Sequence, residues 1–337
     1  MKAPDQERHD RFAIGFDHRD RARLHALWDE VMDSERWTEG AMTRRFEELW
    51  AAQLGAGAVA TSGWTGAALA ALDHAGVGPG DVVLCPSNTF MATPLAAIHL
   101  GARVEFVDCE RDDLCVSVAD LERKIAAHRP KAAIVVHIGG HIAFRIEQIA
   151  AVCRSAGVFL LEDCAHAHGA SFHGRRAGTW GDAGAYSFYA TKTVSTGEGG
   201  MLVSRDEALL EHARRYRDYG KPDHRMPGLN FRMSEFTAAI GILQSERLDE
   251  IVAWKNEIAR RHLDPVHHGR LRLPDGMTSG LYKYIVFDPI ERSTGKVYDT
   301  PCHRIMGHDA DLPNSDWVAG HHWCVPLYYR PAPANDA

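Results

Sequence analysis

Lys192 and Asp163 are the residues whose setting could do covalent chemistry. Asp163 closes a short apolar run, Val158–Leu161 followed by Glu162-Asp163, that reads as a strand ending in acid. Lys192 comes three positions after a second run, Ala185–Tyr189, in which small and aromatic residues alternate. Thr193–Thr196 and the turn Gly197-Glu198-Gly199-Gly200 then lead into a third run, Met201–Ser204. In an open α/β sheet, ligands sit outside the carboxyl ends of the strands, so acid and lysine would face one ligand. A lysine amine forms a Schiff base with an aldehyde. A carboxylate keeps a pyridine nitrogen protonated, so that the ring can draw off carbanion electrons. With Ser187 and close backbone glycines, these residue types suit an aldehyde that carries a pyridine and a phosphate, which is pyridoxal 5′-phosphate. Taken singly, a loop lysine and a helix-capping aspartate are ordinary surface residues. The string around the pair carries the argument.

That string is Glu162-Asp163-x-Ala-x-Ala-His168-Gly169, then Gly181-Asp182, Ser187-Phe188-Tyr189-x-x-Lys192 and Gly197-Glu198-Gly199-Gly200. In order and spacing it resembles the DegT/StrS-type sugar aminotransferases, a family of fold-type I pyridoxal phosphate enzymes. The resemblance spans about residues 12–330; it is tight over 158–250 and loose after 265. It implies an α/β fold: a large cofactor-binding domain (12–235) with a mostly parallel sheet flanked by helices, then a long linking helix and a small C-terminal α/β domain (236–330). It implies a ping-pong aminotransferase in which Lys192 holds the cofactor and shuttles the proton, while Asp163 faces the ring nitrogen. The donor would be L-glutamate and the acceptor a keto group on a nucleotide-linked deoxysugar. A keto-cyclitol or related antibiotic precursor is the alternative acceptor, and a degenerate cofactor-binding regulator the alternative class. Lys192 argues against the branch of sugar dehydratases that carries histidine at that position.

Further positions acquire roles through the same resemblance. Ser187 would bind the cofactor phosphate, and Phe90 would lie on the pyridine face. His166 stands where the family usually has glutamine, beside the phenolic oxygen, and imidazole can also donate a hydrogen bond there. Gly63, Trp64 and Thr65 occupy the phosphate cradle, with Trp64 interrupting the usual Ser-Gly-Thr. Asn230 would reach the phosphate of the neighbouring subunit, making the enzyme a homodimer with shared active sites.

The elements that must position these residues are legible in part. Val59–Thr61 passes from strand through Ser62-Gly63-Trp64-Thr65-Gly66 into a small-residue helix, Ala67–His74. Such a helix start offers unpaired N–H groups and the positive end of a dipole to a phosphate. Strands over Val82–Cys85, Val104–Val107 and Ala132–His137 alternate with helices, which argues a parallel sheet covered on both faces. Helical spacing marks Arg19–Asp33 and Thr43–Leu54. Asp206 and Ser234 read as helix N-caps. From Ser234 one long helix is expected, with Phe236, Ile240, Leu243, Ile251, Trp254 and Ile258 apolar. Strands are expected over Tyr282–Phe287 and Trp323–Leu327.

Composition closes off several classes. The chain has 337 residues, 45% hydrophobic and 25% charged, with a formal charge of −7, enough for about two domains. No basic stripe points to nucleic acid. No apolar run nears the ~20 residues of a membrane helix, and Met1–Asp10 is polar and charged, unlike a secretory leader. Seven scattered cysteines without CxxC spacing imply a reduced, cytoplasmic protein. His137, His141, His166 and His168 lack HExxH context or a cysteine pair, so no metal site is expected. Ser62–Gly66 does not supply the GxGxxG of a nicotinamide-dependent oxidoreductase. The Pro/Ala-rich last residues read as a fraying end.

Overall fold

Short apolar strands alternate with helices through most of the computed structural model, which describes residues 16, 18–291 and 293–327. The polar opening Met1–Asp10, the Pro/Ala-rich end and the outer domain limits 12 and 330 lie outside the described residues. The strands are β1 (Gly57–Thr61), β2 (Val82–Pro86), β3 (Arg103–Val107), β4 (Ala132–Val136), β5 (Phe159–Asp163), β6 (Ser171–Phe172), β7 (Arg175–Arg176), β8 (Ala183–Ser187), β9 (Gly200–Ser204), β10 (Met277–Thr278), β11 (Tyr284–Val286) and β12 (Trp323–Val325). The helices are α1 (His18–Asp33), α2 (Ala41–Leu54), α3 (Trp64–His74), α4 (Ala92–His99), α5 (Val118–His128), α6 (Ile146–Ala156), α7 (Glu207–Tyr216), α8 (Glu235–Glu246), α9 (Leu248–Ile258), α10 (Cys302–Ile305) and α11 (Pro313–Gly320).

Seven strands form one sheet in the order β1-β9-β8-β5-β4-β2-β3. Neighbours from β8 to β3 pair in parallel, whereas β9 is antiparallel to both β8 and β1. Successive side chains on a strand point to opposite faces, and here the two faces feed two cores. Ala58, Ala60, Leu84, Ala133, Val135 and Leu160 join one core with α1, α2, α5, α6 and α8. Val59, Val83, Cys85, Ala132, Ile134 and Leu161 join the other with α3, α4 and α7. Burial on both faces explains why these strands read as continuous apolar runs. The carboxyl ends of β1, β2, β4, β5 and β8 therefore share one edge, and the reversed β9 begins there.

Asp206 caps α7 by accepting the Ala208 N–H, and Ser234 caps α8 by accepting that of Thr237, as expected. The single long helix after Ser234 is not formed. It breaks at Arg247 (φ −108°, ψ 1°) into α8 and α9, because Arg247 is drawn into an ion pair with the buried Asp20 of α1. Beyond α9, the pair β11–β12 carries the segment 279–283 back to the sheet edge. Gly280 N donates to Gly140 O at 2.8 Å and Lys283 N to Gly139 O at 2.8 Å. Lys255 Nζ of α9 donates to Leu281 O at 3.3 Å.

Candidate active site

Asp163 is the last residue of β5, buried, and held by two short-range donors. Its Oδ1 accepts the Ala165 N–H at 3.0 Å, and its Oδ2 accepts the Thr93 hydroxyl at 3.0 Å. Thr93 is in turn 2.8 Å from Thr89, so the turn between β2 and α4 braces the carboxylate. Burial raises the Asp163 pKa above the ordinary value; the two hydrogen bonds and then the positive charge of Lys192 oppose the shift.

Lys192 lies on the loop between β8 and β9. The loop is pinched at its base, where Phe188 N donates to Gly199 O at 2.8 Å and Thr196 N to Phe188 O at 2.9 Å, and Lys192 N donates to Tyr189 O at 2.9 Å. The amine stands 4.8 Å from the centre of the Tyr282 ring. Its pKa falls to about 8, chiefly because burial disfavours the ammonium; Asp163 pulls the other way and Lys283 adds to the fall. Glu198 is exposed, and its main-chain carbonyl accepts the Thr196 hydroxyl at 2.6 Å. Near Lys192, His166 is buried and stacks on Tyr282 with centroids 4.2 Å apart and planes 26° apart. Burial and the nearby Lys192 push its pKa well down, so the ring is neutral, and its Nδ1 has no hydrogen-bond partner among the described residues.

A polar row crosses the sheet beside this group. Thr61 of β1, Gly200 of β9 and Ser187 of β8 are paired neighbours. A side chain at Gly200 would sit 2.4 Å from the Gly63 carbonyl carbon and 2.7 Å from Trp64 N, so glycine alone lets β9 start against this turn. Gly63 is the N-cap of α3 with no capping side chain, Trp64 opens the helix with its ring buried, and Thr65 is exposed. Trp64 thus occupies the core and leaves the helix start open. Uncapped amides at a helix start are an anion-binding arrangement, and Ser187 pairs with the same Gly200 that abuts this one.

These donors fit pyridoxal phosphate: an amine depressed towards neutrality, a buried carboxylate, an imidazole nitrogen without a partner, and an amide-and-hydroxyl cradle. A sequence model of the DegT/DnrJ/EryC1/StrS aminotransferase family matches residues 19–287. The chain belongs to this family. It is 36% identical to GDP-perosamine synthase of Escherichia coli O157:H7 over 68% of this chain and 65% of that protein. It is 34% identical to dTDP-3-amino-3,4,6-trideoxy-alpha-D-glucose transaminase of Micromonospora megalomicea subsp. nigra over 92% and 91%. The chain spans about two thirds of the length of the first of these relatives. Among solved structures, a DegT DnrJ EryC1 StrS aminotransferase from Brucella abortus superposes with a TM-score of 0.86 at 27% identity, over 92% of this chain and 91% of that one.

Two residues singled out by the family resemblance are exposed. Phe90 is 66% exposed on the turn between β2 and α4. Asn230 is exposed on the loop before α8, where its side chain accepts the Arg232 N–H at 3.3 Å. That loop also touches the α3 turn, since Phe231 O accepts the Ser62 N–H at 2.7 Å.

Sequence reasoning missed the aromatic wall. Tyr282 binds Thr191 through its phenol at 3.0 Å, and the Tyr298 ring lies 6.0 Å from that of His166. Missed too was the pairing of Glu162 with His137 at 2.8 Å, both fully buried. His137, Glu162 and Cys164 have potential metal-binding atoms within 4.8 Å of one another. Those atoms are spent on hydrogen bonds. Glu162 also accepts the N–H groups of Gly178, Trp180 and Gly181, and His137 Nδ1 accepts that of Ala143. The Cys164 thiol is pushed well up by burial and stays protonated. All seven cysteines are buried and free. No helix among the described residues is long and apolar enough to cross a membrane.

Proposed function

We propose that the protein is a pyridoxal 5′-phosphate-dependent aminotransferase that carries an amino group from an amino acid, L-glutamate, to a keto group of a nucleotide-linked deoxysugar by a ping-pong route. The observation that carries this reading is the buried Asp163 carboxylate coupled to a Lys192 amine whose pKa is about 8. When bound, the cofactor supplies an aldehyde that takes up amines and a protonated ring that withdraws electrons from the adjoining carbon.

The chain's own residues do the rest. An amine near pKa 8 is partly unprotonated at neutral pH, so Lys192 Nζ can accept a proton and return it. Asp163 keeps a proton on the ring nitrogen, with Thr93 and Thr89 fixing its direction. Neutral His166 offers a hydrogen bond to the phenolic oxygen, and Phe90 covers a ring face. Gly63, Trp64 and Thr65 at the start of α3, with Ser187, hold the phosphate. Asn230 reaches the phosphate of a second copy, so the working unit is a cytoplasmic homodimer. The printed names of the relatives, one a GDP-perosamine synthase and one a dTDP-sugar transaminase, support a sugar nucleotide as acceptor.

The test is a visible spectrum of the protein with pyridoxal phosphate, before and after L-glutamate without acceptor. A visible band that glutamate bleaches, and that Lys192→Ala abolishes, is expected. Absence of any band in the wild type rejects the reading.

A further inference from the structure

We propose that Lys283 is the substrate-anion recognition residue of this site, taking a carboxylate or phosphate oxygen of a donor or acceptor. The inference rests on the reading above. Lys283 and Lys192 share a ring: their amines stand 5.0 Å and 4.8 Å from the centre of Tyr282. Among the described residues, no Asp or Glu oxygen lies within 4.0 Å of either amine. The main chain of Lys283 is fixed, because its N–H donates to Gly139 O at 2.8 Å and β11 follows at once. Its half-buried side chain is therefore delivered to the site from a pinned backbone.

The surrounding charge makes that cation conspicuous. Lys283 is felt electrostatically by Lys192, His166 and Lys255. His166 is neutral, and the phenols of Tyr282 and Tyr298 are pushed further into their protonated form. Asp163 is the carboxylate that faces Lys192, and the cofactor ring claims it. Lys283 is left as a cation with no Asp or Glu among the described residues at ion-pair range, beside the reacting amine. An amino-acid donor brings carboxylates and a sugar-nucleotide acceptor brings a diphosphate; both supply what Lys283 lacks. A charge-assisted bond of this kind is strong because the site is partly desolvated.

The test uses protein loaded with pyridoxal phosphate and titrated calorimetrically with glutarate, an unreactive dicarboxylate, and with dTDP and GDP. In Lys283→Met at least one probe should bind about tenfold more weakly or worse, the weight of a hydrogen bond to a charged group. Lys283→Arg should restore it, and the visible band should persist in both variants. Loss confined to glutarate assigns Lys283 to the donor; loss confined to a nucleotide assigns it to the acceptor. Unchanged affinities, or no binding of any probe to the wild type, overturn the inference. A wild type without the band strikes instead at the proposed activity.

Discussion

Glu162→Gln is the perturbation with the most calculable outcome, because the native carboxylate serves four donors and an amide cannot. Oε1 accepts Trp180 N at 2.6 Å and Gly181 N at 2.6 Å; Oε2 accepts Gly178 N at 2.8 Å and pairs with His137 Nε2 at 2.8 Å. Since His137 Nδ1 accepts the Ala143 N–H, its Nε2 carries the proton. A glutamine oxygen can take only one of the two sites. If it takes Oε1, the new NH2 faces the Gly178 N–H and the His137 N–H, both donors. Moving the imidazole proton relieves His137 but sets Nδ1–H against Ala143 N–H. At least two buried donors stay unpaired in every arrangement, at about 1–3 kcal/mol each, so the loss is about 2–6 kcal/mol. That is a large part of the usual stability of a folded domain. Hydrogen exchange read by mass spectrometry over residues 178–181, with urea unfolding of the same protein, measures it. Exchange there should quicken by at least about thirtyfold, since each 1.4 kcal/mol is a factor of ten. Unchanged exchange and a stability loss below about 1 kcal/mol would refute the assignment of Glu162 as the clamp of this loop.

Asp163→Asn should lower turnover by at least about tenfold, the weight of one pKa unit on the ring nitrogen, and near-normal turnover would count against its role. The same change should stabilise the cofactor-free protein at neutral pH. A carboxyl whose pKa is raised by folding binds its proton more tightly in the native state, so its contribution is full below the ordinary 3.8 and is lost as pH rises through the raised value. Urea midpoints across that window should fall with pH in the wild type more steeply than in the variant. Gly200→Ala drives a methyl group into the Gly63–Trp64 backbone, with contacts of 2.4–2.7 Å. It should cost about 1–3 kcal/mol of stability. By displacing the start of α3 it should also weaken pyridoxal phosphate binding, read by titrating the visible band; unchanged affinity would remove α3 from the phosphate site.

The linked motifs that resemble the family made Asp163, Lys192, Ser187 and the α3 turn legible, and local pattern alone placed each at or shortly after the end of a short apolar strand. Local pattern also marked the caps at Asp206 and Ser234. The aromatic wall was not legible. Tyr282 and Lys283 lie far along the chain from Lys192, and they reach it through the contacts of Gly280 and Lys283 with Gly140 and Gly139. Nothing in the spacing around 282 records that contact. The broken helix failed for the opposite reason. Its apolar spacing runs on through Arg247, but the ion pair with Asp20, contributed by α1, overrides local periodicity.

The reversed strand β9 joins these two kinds of information. A parallel crossover needs roughly a dozen residues or more, most often built as a helix. The connection Phe188–Gly199 has no helix; its length is spent on the lysine turn and on the pinch between Phe188, Thr196 and Gly199. With no helix to carry a crossover, the chain returns antiparallel beside β8. That return sets the first residue of β9, rather than its last, at the carboxyl edge of the sheet, so that Gly200 lies between Thr61 and Ser187. Were β9 parallel, Ser204 would occupy that edge and its side chain would crowd the α3 turn. The glycine run after Lys192 thus does two jobs at once: it closes the loop that carries the amine, and it leaves the backbone space that lets β9 start against the α3 turn.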